Sequence, residues 1–334
     1  MFVLVALVTG AAACGGGGDG DEQRATPRPR AGGPTTTTTT TSTTVPSRPS
    51  KGCGTESATG PTAADPVDVP LTFTTAGSTP RTYRLAVPTE YDPDTPVPLV
   101  FNFHGLGSNA IEQSVYSGLP EAGRDGGLMV VTPDAVGGVW QFSSAADPAD
   151  AVDVAYVREL LADLEGRYCV DTARVYAAGM SLGALMSASV ACALPGTFGA
   201  IGLVAVQTLP GRCEPVPVVV FHGTDDQVVP YQEGGEIQAG QFTGVKVKGT
   251  INDLADWAEL DGCAVEPDVD PVGEDVQHRV YPDCGPGTEV ELYTVVGGGH
   301  TWPGSEINIG PTTTTIDATA LILEFFAEHP VTGD

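Results

Sequence analysis

Positive charge is what this 334-residue chain has least of: 15 Lys and Arg stand against 42 Asp and Glu, a net charge of −27. All of the acidic excess lies beyond residue 51, since the first 51 residues carry five basic and three acidic groups. Such a surface repels polyanions, which argues against nucleic acid as a partner and suits a neutral substrate. Histidine is also scarce, five in all, so a catalytic base has few candidates. No C-x-x-C pair occurs and the cysteines do not stand with histidines at zinc spacing, so no metal site is expected. No internal repeat is evident, which argues against a solenoid. The apolar run Phe2 to Ala13 is too short to span a bilayer as a helix.

That run reads instead as a secretion signal, residues 1–13, ending in small residues. Cys14 follows at once, placed as a lipid-attachment cysteine is in bacteria, and is the expected lipidation site and membrane anchor. Residues 14–51 carry a glycine run, Pro-Arg repeats and an unbroken Thr35 to Thr41. Such a composition buries too little apolar surface to offset ordering entropy, and reads as a disordered tether. Residues 52–334 suffice for a single α/β domain, expected to act as a monomer.

Within that domain, apolar strand-like runs alternate with helical patterns. Val69–Thr75 and Thr82–Val87 suggest an antiparallel pair. Val97–Phe103, Leu128–Thr132, Ala200–Val206, Val216–Phe221 and Val290–Val296 read as buried strands. Val154, Val157, Leu160, Leu161 and Leu164 recur at helical spacing over Asp153–Glu165, and Asn252–Leu260 and Thr319–Glu328 read as further helices. This alternation implies βαβ units and a mostly parallel sheet with flanking helices.

One stretch carries chemistry on its face. A β-prone run from Arg174 ends in Gly179-Met180-Ser181-Leu182-Gly183, and a helix-prone run, Ala184–Ala193, follows. This is the strand–turn–helix context of a nucleophile elbow, with Ser181 exposed at a strand's carboxyl end. A serine needs a base. Of the histidines downstream, His278 reads as an exposed strand position and His329 as a helix terminus. His300 directly follows the last strand and is the candidate base. The acid should follow the strand ending at Phe221, where Asp225 and Asp226 stand side by side, and spacing does not choose between them. Oxyanion donors are expected from the backbone N–H groups of Leu182 and of Leu106, in His104-Gly105-Leu106-Gly107. Trp140, Phe142 and Trp302 are candidates to line a substrate pocket.

Taken together, Phe101-Asn102-Phe103-His104-Gly105, Tyr168-Cys169-Val170-Asp171, Gly179-Met180-Ser181, Phe221-His222-Gly223-Thr224-x-Asp226 and Gly299-His300-Thr301-Trp302-Pro303-Gly304 resemble one family. It is the secreted poly(3-hydroxybutyrate) depolymerase and feruloyl or acetylxylan esterase group, which includes actinobacterial lipoproteins. The resemblance covers about residues 71–329. It implies an α/β-hydrolase fold, a Ser–Asp–His triad with Asp226 as the acid, ester substrates and no cofactor. The chain departs from the family's pattern at Leu182-Gly183-Ala184, where a leucine side chain beside the nucleophile would narrow the acyl site, and at Val152, where many members have an aspartate. A binding lipoprotein that keeps the fold without catalysis, and a serine peptidase, are the alternatives.

Seven cysteines less Cys14 leave six, an even set that in an exported protein reads as three disulfides. Cys263 and Cys284 flank an acidic stretch with little apolar content, and a bridge there would stabilise by about 3 kcal/mol in the chain-entropy model. Cys192 with Cys213 would tie the nucleophile's helix to the acid's strand. Cys53 with Cys169 follows by elimination.

Overall fold

The computed structural model describes residues 45–55, 71–73, 80–142 and 148–332. The expected secretion signal, Cys14 and the tether as far as residue 44 lie outside them. The last part of the expected tether does not belong to it: residues 45–51 are part of the folded unit. Arg48 N–H donates to Asp171 Oδ1 at 2.8 Å, Ser50 N–H donates to Val170 O at 2.9 Å, and Pro49 bridges to Asp171. Backbone hydrogen bonds of this kind need no apolar signal in the sequence, which is why composition placed the boundary later.

Among the described residues ten strands form one sheet: β1 (Leu71–Phe73), β2 (Arg81–Ala86), β3 (Val97–Phe103), β4 (Met129–Pro133), β5 (Val170–Met180), β6 (Ile201–Val204), β7 (Val218–Gly223), β8 (Asp268–Val272), β9 (Val276–Tyr281) and β10 (Val290–Val295). Their spatial order is β1-β2-β4-β3-β5-β6-β7-β10-β9-β8. From β4 through to β10 every neighbouring pair is parallel, and antiparallel strands flank this centre on both sides. The central strands are buried on both faces, which accounts for their unbroken apolar runs.

Alternation along each strand divides the core in two. Leu99, Phe101 and Phe103 of β3, with Val218 and Val220 of β7, face one side. There they meet α3 (Val152–Arg167), α4 (Leu182–Ala193) and α5 (Thr250–Leu260) through Leu160, Met186 and Trp257. Val100, Val219 and Phe221 face the other side, against Leu119 of α2 (Leu119–Asp125) and Ile322, Phe325 and Phe326 of α6 (Ala318–Glu328). A further helix, α1 (Ala110–Ser117), precedes α2.

Three disulfides tie the chain: Cys53–Cys169, Cys192–Cys213 and Cys263–Cys284. The third closes the base of a hairpin, β8–β9, that extends the sheet beyond β10. The acidic stretch there is thus structured, held by strand pairing and a covalent bond where apolar burial is thin.

Candidate active site

β5 delivers Ser181 to the carboxyl end of the sheet, and α4 begins at the next residue. Ser181 has φ 57° and ψ −121°, a conformation that costs a side-chain-bearing residue on the order of 1–3 kcal/mol and persists only when its surroundings impose it. They do. A Cβ on Gly179 would lie 2.4 Å from Gly183 O, and one on Gly183 would lie 2.0 Å from Phe103 O. Only glycine lets β5, α4 and β3 approach so closely. Ser181 N–H also donates to Val204 O at 2.8 Å, which locks the turn against β6.

The loop after β3 packs against this turn. His104 is buried, and burial pushes its pKa down, which favours the neutral ring. Its Nδ1 lies 2.8 Å from Gly105 O and its Nε2 accepts from Ala135 N–H at 3.0 Å, an arrangement that assigns the proton to Nδ1. Gly107 N–H donates to Gly138 O at 2.8 Å. Leu106 is fixed between these anchors. The backbone N–H groups of Leu106 and Leu182 have no hydrogen-bond partner among the described residues.

The two aspartates after β7 part company. Asp225 is exposed, and among the described residues its carboxylate takes only a 3.4 Å contact from Thr224 Oγ1. Asp226 is 4% exposed and accepts from Val228 N–H at 2.7 Å and Val229 N–H at 2.8 Å through Oδ1. Its Oδ2 meets His300 Nδ1 at 2.7 Å and His222 Nε2 at 3.2 Å. Burial works against ionisation of Asp226, but hydrogen bonds and charge from His222 and His300 outweigh it and hold the carboxyl below the usual carboxylate range.

His300 sits on the loop after β10, which is parallel to β7, so acid and imidazole leave adjacent strand ends. A Cβ on Gly223 would lie 2.2 Å from Gly298 O, so this junction too depends on glycine. No hydrogen bond joins Ser181 Oγ to His300 among the described residues, but both line one cleft of about 670 Å³. Such contacts in hydrolases often tighten only with substrate.

The sequence reading missed His222. It is buried behind Asp226, with Val229 O, Gln207 Oε1 and Thr250 Oγ1 as further neighbours at 2.8–3.0 Å. Its only signal was its place in Phe221-His222-Gly223, at the end of the acid's strand. His278 pairs with Glu291 and stacks on Tyr293, and His329 pairs with Glu289. Neither lines a cavity at Ser181.

The tryptophan expectation needs correction. Trp140 and Trp302, expected to contact substrate, are 3% and 1% exposed and line neither cavity at Ser181. Trp140 packs edge-on against Phe103 and donates to His104 O at 2.8 Å. Trp302 donates from Nε1 to Thr319 Oγ1 at 2.9 Å. With their indole N–H groups satisfied inside, both rings can be fully buried. Phe142 is half-buried against the core and is likewise absent from the cavity walls. Among the described residues no cluster of three or more His, Cys, Asp or Glu is placed to hold a metal, and no helix is long and apolar enough to cross a membrane.

A mostly parallel sheet covered by helices on both faces, with a serine elbow after the central strand and an Asp and a His after later strands, is the α/β-hydrolase fold. An acetyl xylan esterase from Aspergillus awamori shares it with a TM-score of 0.55 at 15% identity, over 74% of this chain and 94% of that one. Residues 75–266, more than half of the chain, match the family model Esterase, described as "Putative esterase", and the protein belongs to that family. The match takes in Ser181 and Asp226 and stops short of His300. Feruloyl esterase B of Piromyces equi is 31% identical over 225 residues, 64% of this chain and 41% of that protein. Feruloyl esterase C of Emericella nidulans is 30% identical over 171 residues, 48% of this chain and 60% of that protein. The chain thus spans less than two thirds of the length of these relatives.

Proposed function

We propose that the protein hydrolyses carboxylic esters through a Ser181–His300–Asp226 triad and an acyl-enzyme. The observation that carries this reading is the buried Asp226 carboxylate, 2.7 Å from Nδ1 of a histidine that shares a cleft with a strained serine. With Nδ1–H committed to Asp226, His300 presents Nε2 as the base. Ser181 Oγ attacks the ester carbonyl as His300 takes its proton. The carbonyl oxygen becomes an oxyanion, met by the N–H groups of Leu106 and Leu182 at the start of α4, where the helix dipole adds to the attraction. Asp226 stabilises the imidazolium. His300 then protonates the departing alcohol, and water, activated by the same imidazole, releases the acid. No cofactor enters this sequence.

The acyl classes that the family suggests are feruloyl, acetyl and 3-hydroxyalkanoate. The three disulfides support an exported protein, and we propose a lipid anchor at Cys14 that leaves the domain outside the membrane, working as a monomer. The test is labelling with a fluorophosphonate, followed by peptide mapping, with ester and amide substrates assayed in parallel. Label on Ser181, together with hydrolysis of esters and not amides, is the expected result. An unlabelled Ser181 and no turnover would mean a protein that keeps the fold and works by binding. Faster amide than ester hydrolysis would mean a peptidase.

A further inference from the structure

Asp226 meets two imidazoles, and the triad uses only one of them. His300 Nδ1 and His222 Nε2 approach the same oxygen, Oδ2, at 2.7 and 3.2 Å. Its Oδ1 is taken by the N–H groups of Val228 and Val229. A carboxylate has about four acceptor positions, and His222 fills the last of them. The ring is 1% exposed, near the end of β7 and four residues before the aspartate it touches.

The neighbours of His222 decide where its proton lies. Val229 O stands 3.0 Å from Nε2, and a carbonyl only accepts. An ionised Asp226 also only accepts, so Nε2 carries a proton. At the other nitrogen, Gln207 Oε1 lies at 3.0 Å and Thr250 Oγ1 at 2.8 Å. The Gln207 amide is turned this way round by Asp253, whose Oδ2 takes its Nε2 at 3.3 Å. The Thr250 hydroxyl can donate to a bare Nδ1 or accept from a protonated one, so the pocket holds the ring with one proton or with two. The Nε2–H donor is common to both states. Gln207, Thr250 and Asp253 are as buried as the ring, and Trp257 Nε1–H fastens Gln207 by its carbonyl at 2.7 Å.

We propose that His222 is a positioning residue for the triad: its Nε2–H, held by Val229 O, donates to Asp226 Oδ2, fixes the carboxylate against His300, and draws off part of the negative charge that would otherwise act on that imidazole alone. The inference rests on the catalytic reading above and adds a residue to it. His222 lines neither cavity at Ser181 and acts through Asp226. Burial raises the Asp226 carboxyl, and the hydrogen bonds of His222 and His300 more than reverse this, in keeping with the geometry. The titratable and charged groups that face the pair are His300 from the loop after β10, Asp253 of α5 beyond Gln207, and Tyr231, edge-on to the His222 ring, whose phenol feels Arg279 of β9.

Two effects of losing this donor follow. A buried carboxylate with an empty acceptor position is free to turn, so His300 loses its fixed direction. A carboxylate with one donor fewer also attracts the His300 imidazolium more strongly, so the base form of His300 emerges only at higher pH.

The experiment compares the wild type with His222→Gln, His222→Asn and His222→Leu, through pH profiles of kcat and KM for 4-nitrophenyl acetate, with fluorophosphonate labelling and thermal melts of each. The amide nitrogen of glutamine reaches about as far as Nε2, and that of asparagine only as far as Nδ1. The first therefore keeps a donor for Asp226 and the second does not. His222→Leu and His222→Asn should lose on the order of 10–100-fold in kcat with KM little changed. The acid limb of kcat/KM should move up by about one pH unit in both. His222→Gln should recover most of the loss and bring the limb back towards its wild-type position. A smaller folded fraction scales the rates and leaves the limb where it is. NMR of the wild type labelled with ¹⁵N-histidine needs no variant: Nε2 of His222, recognised by its proximity to Tyr231, should carry a proton throughout the active pH range. A bare Nε2 would overturn the proposal. So would Leu and Asn profiles that superimpose on the wild type's, or a Gln variant shifted as far as Leu. Absence of label on wild-type Ser181, with no ester turned over, would instead overturn the catalytic reading itself.

Discussion

Replacing Asp226 by Asn, beside a parallel Asp225→Asn, tests the proposed acid most directly. The Asp226 carboxylate is acceptor to four donors: His300, His222 and the N–H groups of Val228 and Val229. Asparagine offers one oxygen and one NH₂ group. If the oxygen stays on the two backbone N–H groups, the NH₂ faces both histidines and donates to His300 Nδ1. The imidazole proton then moves to Nε2, where it cannot accept from Ser181. A wrong tautomer of this kind costs roughly 10⁴-fold, or about 5 kcal/mol of barrier. If the amide turns the other way, its NH₂ meets two buried N–H donors instead, and stability falls by about 1–3 kcal/mol. The first outcome lowers kcat/KM by orders of magnitude, chiefly through kcat; the second keeps the tautomer but loses the charge that stabilises the imidazolium, and shows also as lost stability. Asp225 is exposed and weakly bonded, so its replacement should change stability by no more than about 0.5 kcal/mol and leave turnover near wild type. Acid adds a second readout. The Asp226 carboxyl titrates below its unfolded value of about 3.9, so its contribution to stability is complete above that pH and is lost as pH falls towards the folded value. The stability gap between wild type and Asp226→Asn should therefore narrow below about pH 4. Steady-state ester hydrolysis and urea melts at several pH values measure all of this. An Asp225→Asn variant as damaged as Asp226→Asn would refute the assignment.

Three further outcomes are expected. Ser181→Ala and Ser181→Gly should each lose roughly 10³-fold or more in turnover, but glycine relieves the positive φ that alanine retains, so Ser181→Gly should be the more stable by about 1 kcal/mol in thermal melts; equal stability would mean the elbow is not strained. Burial pushes the Asp261 carboxyl up to about 7, and among the described residues its Oδ2 has no partner and only Val216 N–H donates to its Oδ1; a raised acid disfavours the folded state increasingly as pH rises from about 4 to 7, by a few kcal/mol, so Asp261→Asn should gain stability on wild type over that window, and parallel pH profiles would refute this. Replacing both Cys263 and Cys284 by Ala should cost about 3 kcal/mol, with hydrogen exchange rising first in β8 and β9; unchanged exchange there would show that strand pairing alone holds the hairpin.

How far the fold could be read depended on whether buried residues were apolar. The strand expected at Val97–Phe103 has those bounds, and the helix expected at Asp153–Glu165 extends only to Val152–Arg167, because both bury regular apolar patterns. α1 escaped for the opposite reason. It buries Ala110, Gln113 and Ser117 and turns Ile111 and Val115 outward, 56% and 61% exposed, so its pattern is inverted. The inversion suits its place on the rim of the large cleft. β8 escaped, though His278 in β9 read as a strand position, because β8, Asp-Val-Asp-Pro-Val, is an edge strand exposed along nearly its whole length. Its pairing is all backbone, and no periodicity announces it.

The candidate site was legible where one residue and its immediate neighbours carry the geometry, as at Gly-x-Ser-x-Gly, and illegible where residues distant in sequence combine. Asp225 and Asp226 share a turn, so only the position of His300, 74 residues further on, separates them in space. Gln207 shows the limit most clearly. It follows β6, an ordinary polar residue in a loop. In the fold its Oε1 lies 3.0 Å from His222 Nδ1, whose other nitrogen meets Asp226, while its Nε2 donates to the buried Asp253. An amide serves both neighbours because one end accepts and the other donates. A carboxylate at this position would repel Asp253, and an apolar side chain would leave two buried polar groups short of a partner. The residue type at 207 is thus dictated by two neighbours at once, the histidine behind the proposed acid and the buried Asp253, and a hydrogen-bonded path joins them across 15 and 46 positions of sequence.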